Sequence, residues 1–512
     1  MTETRDLIPE NVEEIFRRFD ANTLTEEDRR IVRAMMEGYV LLGRAVKEKS
    51  GKIQKLLKMI FGAKTEKAHA VLPDSLPKSK GEKACPKGHG RNAAAAYTGS
   101  EKVTVSHTLK AGDRCPGCAK GRVYHTTPGV IVRITGGAPL AATSWEVEKL
   151  RCNLCGEVFT AHLPDTAGRT KYDETAGAML SLLKYGSGLP FNRIEKLQEG
   201  MGVPLPASTQ WDIVEKTADR IYPAYRELIR QAAQGALIHN DDTTMRILSS
   251  VNEDGRSGTF TTGMLSMTGE RKIALFFTGH KHAGENITDL LAQRHAGLDP
   301  PIQMCDALSR NTSKEFDTLL AHCLAHARRN FVDEAGSFPD ECRQVIEALG
   351  EVYKNDACAR ARGMTPYERL VYHQSESGPV MNHLRGWMTV QFEKKKVEPN
   401  SGLGKAFSYM LKHWEPLTLF LKVEGAPLDN NLCEQVLKRA ILHRKNALFY
   451  KTMHGAYVGD LFMSVIATCR LSNINPFTYL VALQKHSSEV FKSPHAWLPW
   501  NYEGATIVLP SP

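Results

Sequence analysis

Between Thr23 and Val46 the apolar residues Ile31, Val32, Met35, Met36, Tyr39, Val40, Leu42 and Val46 recur at roughly helical spacing. Thr23-Leu-Thr-Glu26 ahead of them reads as a capping box, so a long amphipathic helix is expected to start here. Ser50-Gly51 interrupts it, and Ile53, Leu56, Leu57, Ile60 and Phe61 then resume the stripe against Lys52, Lys55 and Lys58. Residues 1–62 are therefore expected to form amphipathic helices that pack within the chain or against a second copy.

The pattern changes at Gly62. Residues 63–97 carry Pro73, Pro77 and Pro86, and Lys64, Lys67, Lys78, Lys80, Lys83, Lys87 and Arg91 outweigh Glu66, Asp74 and Glu82, which is the composition of a basic linker. Residues 98–165 hold short β-prone runs at 102–106 and 130–134. From 166 to 234 the periodicity is helical, broken at Gly186-Ser-Gly-Leu-Pro190 and at Gly202-Val-Pro-Leu-Pro206, with a last helix opened by Ser208: a helix-turn-helix-like layout.

Strand-like runs follow at 236–239, 259–262 and 272–277, then a helix from Ala283 to His295 and another strand at 301–305. Three strands, a helix and a strand is the order of a ribonuclease-H-like sheet, placed within residues 235–475 with a helical insertion at about 318–424 and a C-terminal segment at 476–512. The expected fold class is thus multidomain α+β: N-terminal helices, a metal-pinned β-rich ribbon, a helix-turn-helix-like region and a ribonuclease-H-like catalytic domain.

At 512 residues the chain exceeds a single core, and about two to four domains is the expectation. Lys and Arg total 66 against 57 Asp and Glu, a net +9, which favours a polyanionic partner. No apolar run approaches the roughly 20 residues of a bilayer span, and the first residues lack a signal layout, so a cytoplasmic protein with no membrane partner is expected.

Of the 11 cysteines, Cys115-Pro-Gly-Cys118 and Cys152-Asn-Leu-Cys155 form two knuckles that together supply the four soft ligands of a closed, structural zinc site. Cys85 and His89, in a polar linker segment, read as linker. A closed thiolate site leaves no position for substrate, so catalytic chemistry has to lie elsewhere.

Asp241 and Asp242 end one strand-like run, Asp306 ends another, and Glu434 lies in a helix that begins after Pro427-Leu-Asp429. Two aspartates and a glutamate are the hard oxygen ligands that magnesium needs for work on a phosphodiester. Spacing alone does not separate such a set from surface acids at strand ends.

The surrounding text does. His239-Asn-Asp-Asp-Thr-Thr244, Gln303-Met-Cys-Asp306, Cys323-Leu-Ala-His-Ala-Arg-Arg-Asn-Phe331 and Leu428-Asp-Asn-Asn-Leu-Cys-Glu434 with His443-Arg-Lys-Asn446 closely resemble the insertion-sequence 66 family of bacterial transposases. The resemblance extends upstream to Lys58-Met-Ile-Phe-Gly-Ala-Lys-Thr-Glu66, the cysteine knuckles and Leu189-Pro-Phe-Asn-Arg193. It implies that Asp241, Asp306 and Glu434 are the catalytic carboxylates, holding magnesium or manganese, with Asp242 as the rival for the first position. After Asp306 the family usually continues Gly-Tyr, whereas this chain has Ala307-Leu308-Ser309.

The same resemblance implies a DNA transposase acting on transposon ends and target duplex, as an oligomer on DNA and with small accessory proteins in some relatives. Arg444, Lys445 and Asn446 are expected to contact DNA, as are His326, Arg328 and Arg329. Cys323-x-x-His326 and the His322/His326 pair, read on one helix, offer a second metal set, but phosphate contact is the preferred role for His326. Two other readings are a DNA-binding regulator built on a transposase scaffold and a ribonuclease-H-like nuclease that joins no ends.

Overall fold

A computed structural model describes residues 12–33, 36, most of 104–168, 170–249, 256 and 258–508. The chain divides into two compact units, Leu76–Thr143 and the remainder. The stripe at 53–61, Cys85, His89 and most of the β-prone runs at 102–106 and 130–134 lie outside the described residues.

At the N-terminus, helix α1 (Val12–Asp20) closes on Ala21 and on Asn22, whose φ is 56°. The next helix begins one turn-element later than the sequence suggests. Its cap is Thr25, whose hydroxyl accepts from the Asp28 N–H at 3.2 Å while the Asp28 carboxylate accepts from the Thr25 N–H at 2.9 Å. Thr23 does not cap, because its hydroxyl turns back to the Arg18 carbonyl that ends α1.

In the smaller unit, an antiparallel bridge, Arg114 to Arg122, folds the chain around Cys115 and Cys118. In the larger one, strands β1 (Lys149–Arg151) and β2 (Val158–Thr160) pair antiparallel on either side of Cys155. The helical region then runs as α2 (Glu174–Ser181), a π-turn at Leu182–Gly186, α3 (Phe191–Gly200) and α4 (Ala207–Ala232). Both breaks anticipated from Gly and Pro are present. These helices are built into the body of the molecule: Thr217 of α4 donates to Gln484 at 3.2 Å, and Gln484 donates to the Glu174 carbonyl at 2.9 Å.

A mixed sheet of five strands follows, in the spatial order β5-β4-β3-β6-β7. Strands β3 (Leu237–Thr244), β4 (Phe260–Thr268) and β5 (Arg271–Gly279) form an antiparallel meander, and helix α5 (Ala283–Leu291) leads to β6 (Ile302–Cys305), parallel to β3. β7 (Leu319–His322) adds in parallel to β6. Residues 319–322 were expected to open the helical stretch. Four residues carry too little periodicity to reveal a strand, and it is pairing to β6 that holds them extended.

The outer edge of β5 is closed by a helix. Its N–H groups at Ala274, Phe276 and Thr278 donate to Thr468 (3.1 Å), Ser464 (2.9 Å) and Asp460 (2.6 Å) of α12 (Met453–Leu471). Four residues of helix rise about 6 Å and two of strand about 6.7 Å, so polar side chains at i, i+4 and i+8 meet alternate strand amides. An edge that would otherwise template pairing is satisfied internally. Beyond β7 come helices α6 (Leu324–Glu334), α7 (Pro339–Ala361), α8 (Pro366–Glu376), α9 (Gly378–Glu393) and α10 (Gly402–Lys412); all but α8 share one core with the sheet, in which Met304 and Ala321 pack with Leu324, Phe331, Leu349 and Phe407.

Candidate functional site

Parallel pairing of β3 with β6 matches Leu237 to Ile302 and His239 to Met304. Continuing that register two residues sets Asp241, in the middle of β3, level with Asp306, which directly follows the last residue of β6. Side chains of a strand alternate between faces, so Asp241 and Asp242 point opposite ways. Asp242, with its side chain only 3% exposed, accepts from His282 Nδ1 at 2.9 Å and faces Arg310 at 3.5 Å. Asp241 has acids for neighbours instead: burial, reinforced by the negative charges of Asp306, Asp242 and Glu434, pushes its carboxyl up to about 7.

Glu434 arrives on α11 (Asn431–Ala447), which lies across the sheet at Gly263. Gly263 is the β4 partner of Asp241, and a Cβ there would stand 3.0 Å from Leu437 Cδ1. The missing side chain is what lets the helix approach so closely. Cys433, buried one residue before Glu434, donates its thiol to the Gly263 carbonyl at 3.3 Å.

Both ends of α11 are fastened to β3. At the start, Asn430 is fully buried; its side chain meets His239 Nδ1 at 3.0 Å and donates to the Asn240 carbonyl at 3.1 Å, while its N–H donates to Cys323 Sγ at 3.3 Å. At the far end, the Arg444 guanidinium donates to the Thr243 hydroxyl at 3.0 Å and to the hydroxyl and carbonyl of Thr244 at 2.7 and 2.5 Å. Asp306 is held from below: Asn311 Nδ2 donates to its carboxylate and the Leu308 N–H approaches at 3.4 Å. The Ala307-Leu308-Ser309 text is thus accommodated in a short turn that Asp306 itself organises.

Asp241, Asp306 and Glu434 are therefore brought together. Of the residues expected to face DNA, Lys445 and Arg329 are exposed, Arg328 is half-buried, Arg444 braces β3, and Asn446 sits beside Gly188, whose added Cβ would lie 3.2 Å from its amide nitrogen. His326 Nε2 stands 3.8 Å from Glu434 Oε1. His322 does not join it: that residue ends β7 and packs against His413, ring centroids 5.1 Å apart, while Cys323 is the residue that caps α6.

Sequence reasoning missed Asn430, His239 and Gly263. The Asp-Asn-Asn string was visible, but which asparagine is buried depends on contacts nearly two hundred residues away in the chain.

At the first cysteine knuckle, the Gly121 N–H donates to Cys118 Sγ at 3.4 Å. That bond, with those from the Lys120 N–H and the Cys115 thiol, holds the Cys118 thiol below its ordinary range. Cys155 is exposed in the turn between β1 and β2, and Cys152 lies outside the described residues. Among the described residues no helix is long and apolar enough to cross a membrane.

The sequence profile of the Transposase IS66 family matches residues 169–457, which contains every residue of the carboxylate site. The chain is also similar to three proteins of Sinorhizobium fredii. Uncharacterized protein y4hP is 26% identical over 388 residues, covering 71% of this chain and 69% of that protein. Uncharacterized protein y4jD is 32% identical over 207 residues, 39% of each chain. Uncharacterized protein y4qI is 24% identical over 357 residues, covering 64% of this chain and 62% of that one, so the last two matches span less than two thirds of those proteins.

Proposed function

The chain belongs to the IS66 family of transposases, and from that premise we propose that it is the DNA transposase of an insertion sequence, binding transposon ends and carrying out metal-dependent cleavage and strand transfer on a ribonuclease-H-like domain. The observation that carries the proposal is the convergence of Asp241, Asp306 and Glu434, with Asp241 pushed up to about 7 by burial and surrounding negative charge. A carboxylate cluster short of positive charge suits cations. Its donors are all hard oxygens, the set that magnesium or manganese takes.

Two such cations, when bound, would polarise the phosphodiester and stabilise charge on its attacking and leaving oxygens. The chain's own part is to hold the carboxylates. Asp241 and Asp306 are fixed by strand register, Glu434 by the double fastening of α11, and Asp242 is withdrawn to the other face by His282 and Arg310. His326, beside Glu434, and Arg328 and Arg329 on the same helix serve as phosphate contacts, as do Lys445 and Asn446 at the far end of α11; Arg444 acts as a brace through Thr243 and Thr244. On their spacing alone, the knuckles Cys115/Cys118 and Cys152/Cys155 are assigned to structural zinc that helps dock the DNA, and a homo-oligomer is assigned to the assembly on the ends.

The test uses duplexes carrying the element's own ends. Asp241→Asn, Asp306→Asn and Glu434→Gln should each abolish magnesium-dependent nicking and strand transfer, by at least about a thousandfold, while end binding persists. Full activity in any one of them removes that residue from the set. Nicking without joining of pre-cleaved ends would mark a plain nuclease, and end binding without nicking a regulator.

A further inference from the structure

Cys323, His326 and Glu434 form a cluster that the magnesium chemistry does not use as such. Among the described residues, one ligand atom from each lies within 4.8 Å of the other two. Two ligands of one tetrahedral ion, each about 2.0–2.3 Å from it, stand about 3.4–3.8 Å apart. His326 Nε2 and Glu434 Oε1 are already at 3.8 Å, and small side-chain rotations close the rest.

Each donor is presented by the fold. Cys323 stands at the N-cap position of α6, fully buried, and its sulfur accepts the Asn430 N–H at 3.3 Å; burial pushes its thiol up to about 11, so an ion binding there displaces the thiol proton. His326 lies one turn further along α6, half-buried. Its Nε2 is the nitrogen that faces Glu434, and its Nδ1, on the other side of the ring, is buried without a hydrogen-bond partner in the structure. Glu434 comes from the first turn of α11.

We propose that Cys323, His326 and Glu434 form a second cation site, selective for a soft divalent ion of the zinc class, and that an ion there withdraws Glu434 from the magnesium set and inhibits the enzyme. Thiolate and imidazole select zinc over magnesium, which takes oxygen donors. Three protein ligands leave one position open, the pattern of an exchangeable site rather than of a closed structural one. One carboxylate cannot complete both sites in their full geometry, so soft-ion occupancy and hard-ion catalysis compete. The inhibition half rests on the function proposed above; the binding half does not.

Cobalt(II) added to the full-length protein in buffer free of thiols and chelators reads the site directly, through thiolate-to-cobalt charge-transfer absorption and stoichiometry. The parent and Cys342→Ser, which loses a buried thiol outside the cluster, should take up one more cobalt per chain than Cys323→Ser, and His326→Gln should weaken that uptake at least about tenfold. Added zinc should inhibit magnesium-supported nicking in the parent and in Cys342→Ser, with the inhibitory concentration raised at least about tenfold in Cys323→Ser. Should Cys323→Ser fail to fold, His326→Gln carries the cobalt readout, which does not depend on activity. Equal cobalt uptake by the parent and both cluster variants overturns the site, whatever the activity. A full difference in uptake with no nicking under any metal keeps the site and removes the catalytic reading.

Discussion

Asp241 shows most directly what the site costs the fold. Its carboxyl, ordinarily near 3.8, is pushed up to about 7, first by burial and then by Asp306, Asp242 and Glu434. A raised acid binds its proton more tightly in the folded state than in the unfolded one, so its contribution to stability is complete below pH 4 and is lost as the pH climbs towards 7. Each pKa unit corresponds to about 1.4 kcal/mol, placing the effect on the order of a few kcal/mol. Buried Asp460, also pushed up to about 7, follows the same course. Thermal denaturation of the metal-free protein should therefore show Tm falling between pH 4 and 7. Asp241→Asn should flatten part of that fall, raise Tm at pH 8 and diminish the stabilisation that added magnesium gives the parent. A variant whose pH and magnesium responses match the parent would contradict this account of Asp241.

At the scale of elements, helix α11 is positioned by a groove as much as by its fastenings. A methyl at Gly263 meets Leu437 Cδ1 at 3.0 Å, closer than side chains ordinarily pack, so the helix must lift or Leu437 must yield. Gly263→Ala should reduce cleavage at least about tenfold, since a 1 Å displacement of a reacting group costs up to about a hundredfold. Trimming the opposing side chain, in Gly263→Ala with Leu437→Ala, should recover much of the loss; cleavage unchanged in the single variant would mean that α11 does not depend on this groove. The order of β3, β4, β5, α5 and β6 was legible because each element is long or bounded by turn residues. β7 and the closure of β5 by Asp460, Ser464 and Thr468 were not, because they rest on pairings between distant segments that leave no local period. The Thr25 cap was misplaced by two residues for a similar reason: Thr23 and Thr25 both head plausible boxes, and only the end of α1 decides between them.

For the whole molecule, the carboxylate site is legible in the sequence through its motifs, whereas its electrostatic logic is not. Asp241 and Asp242 are adjacent and chemically alike, yet one faces acids and the other His282 and Arg310. The proposed zinc ribbon, by contrast, rests on cysteine spacing alone. The protein purified without chelators should retain about one tightly bound zinc per chain, lost in Cys115→Ser, with any ion at the three-ligand cluster exchanging more readily. Iron, or no metal, in elemental analysis would contradict the ribbon.

The fastening of α11 also sets an order in time. Both aspartates are encoded before the helices α6 to α10, and the glutamate after them, on a helix whose start is tied to His239 and Asn240. A ribosome-bound chain that has emerged only as far as Asn430 can pair β3 with β6 but has no third carboxylate to offer. On the proposed reading, cutting activity cannot appear until Glu434 has been synthesised, and premature termination anywhere before it yields a product without the third carboxylate.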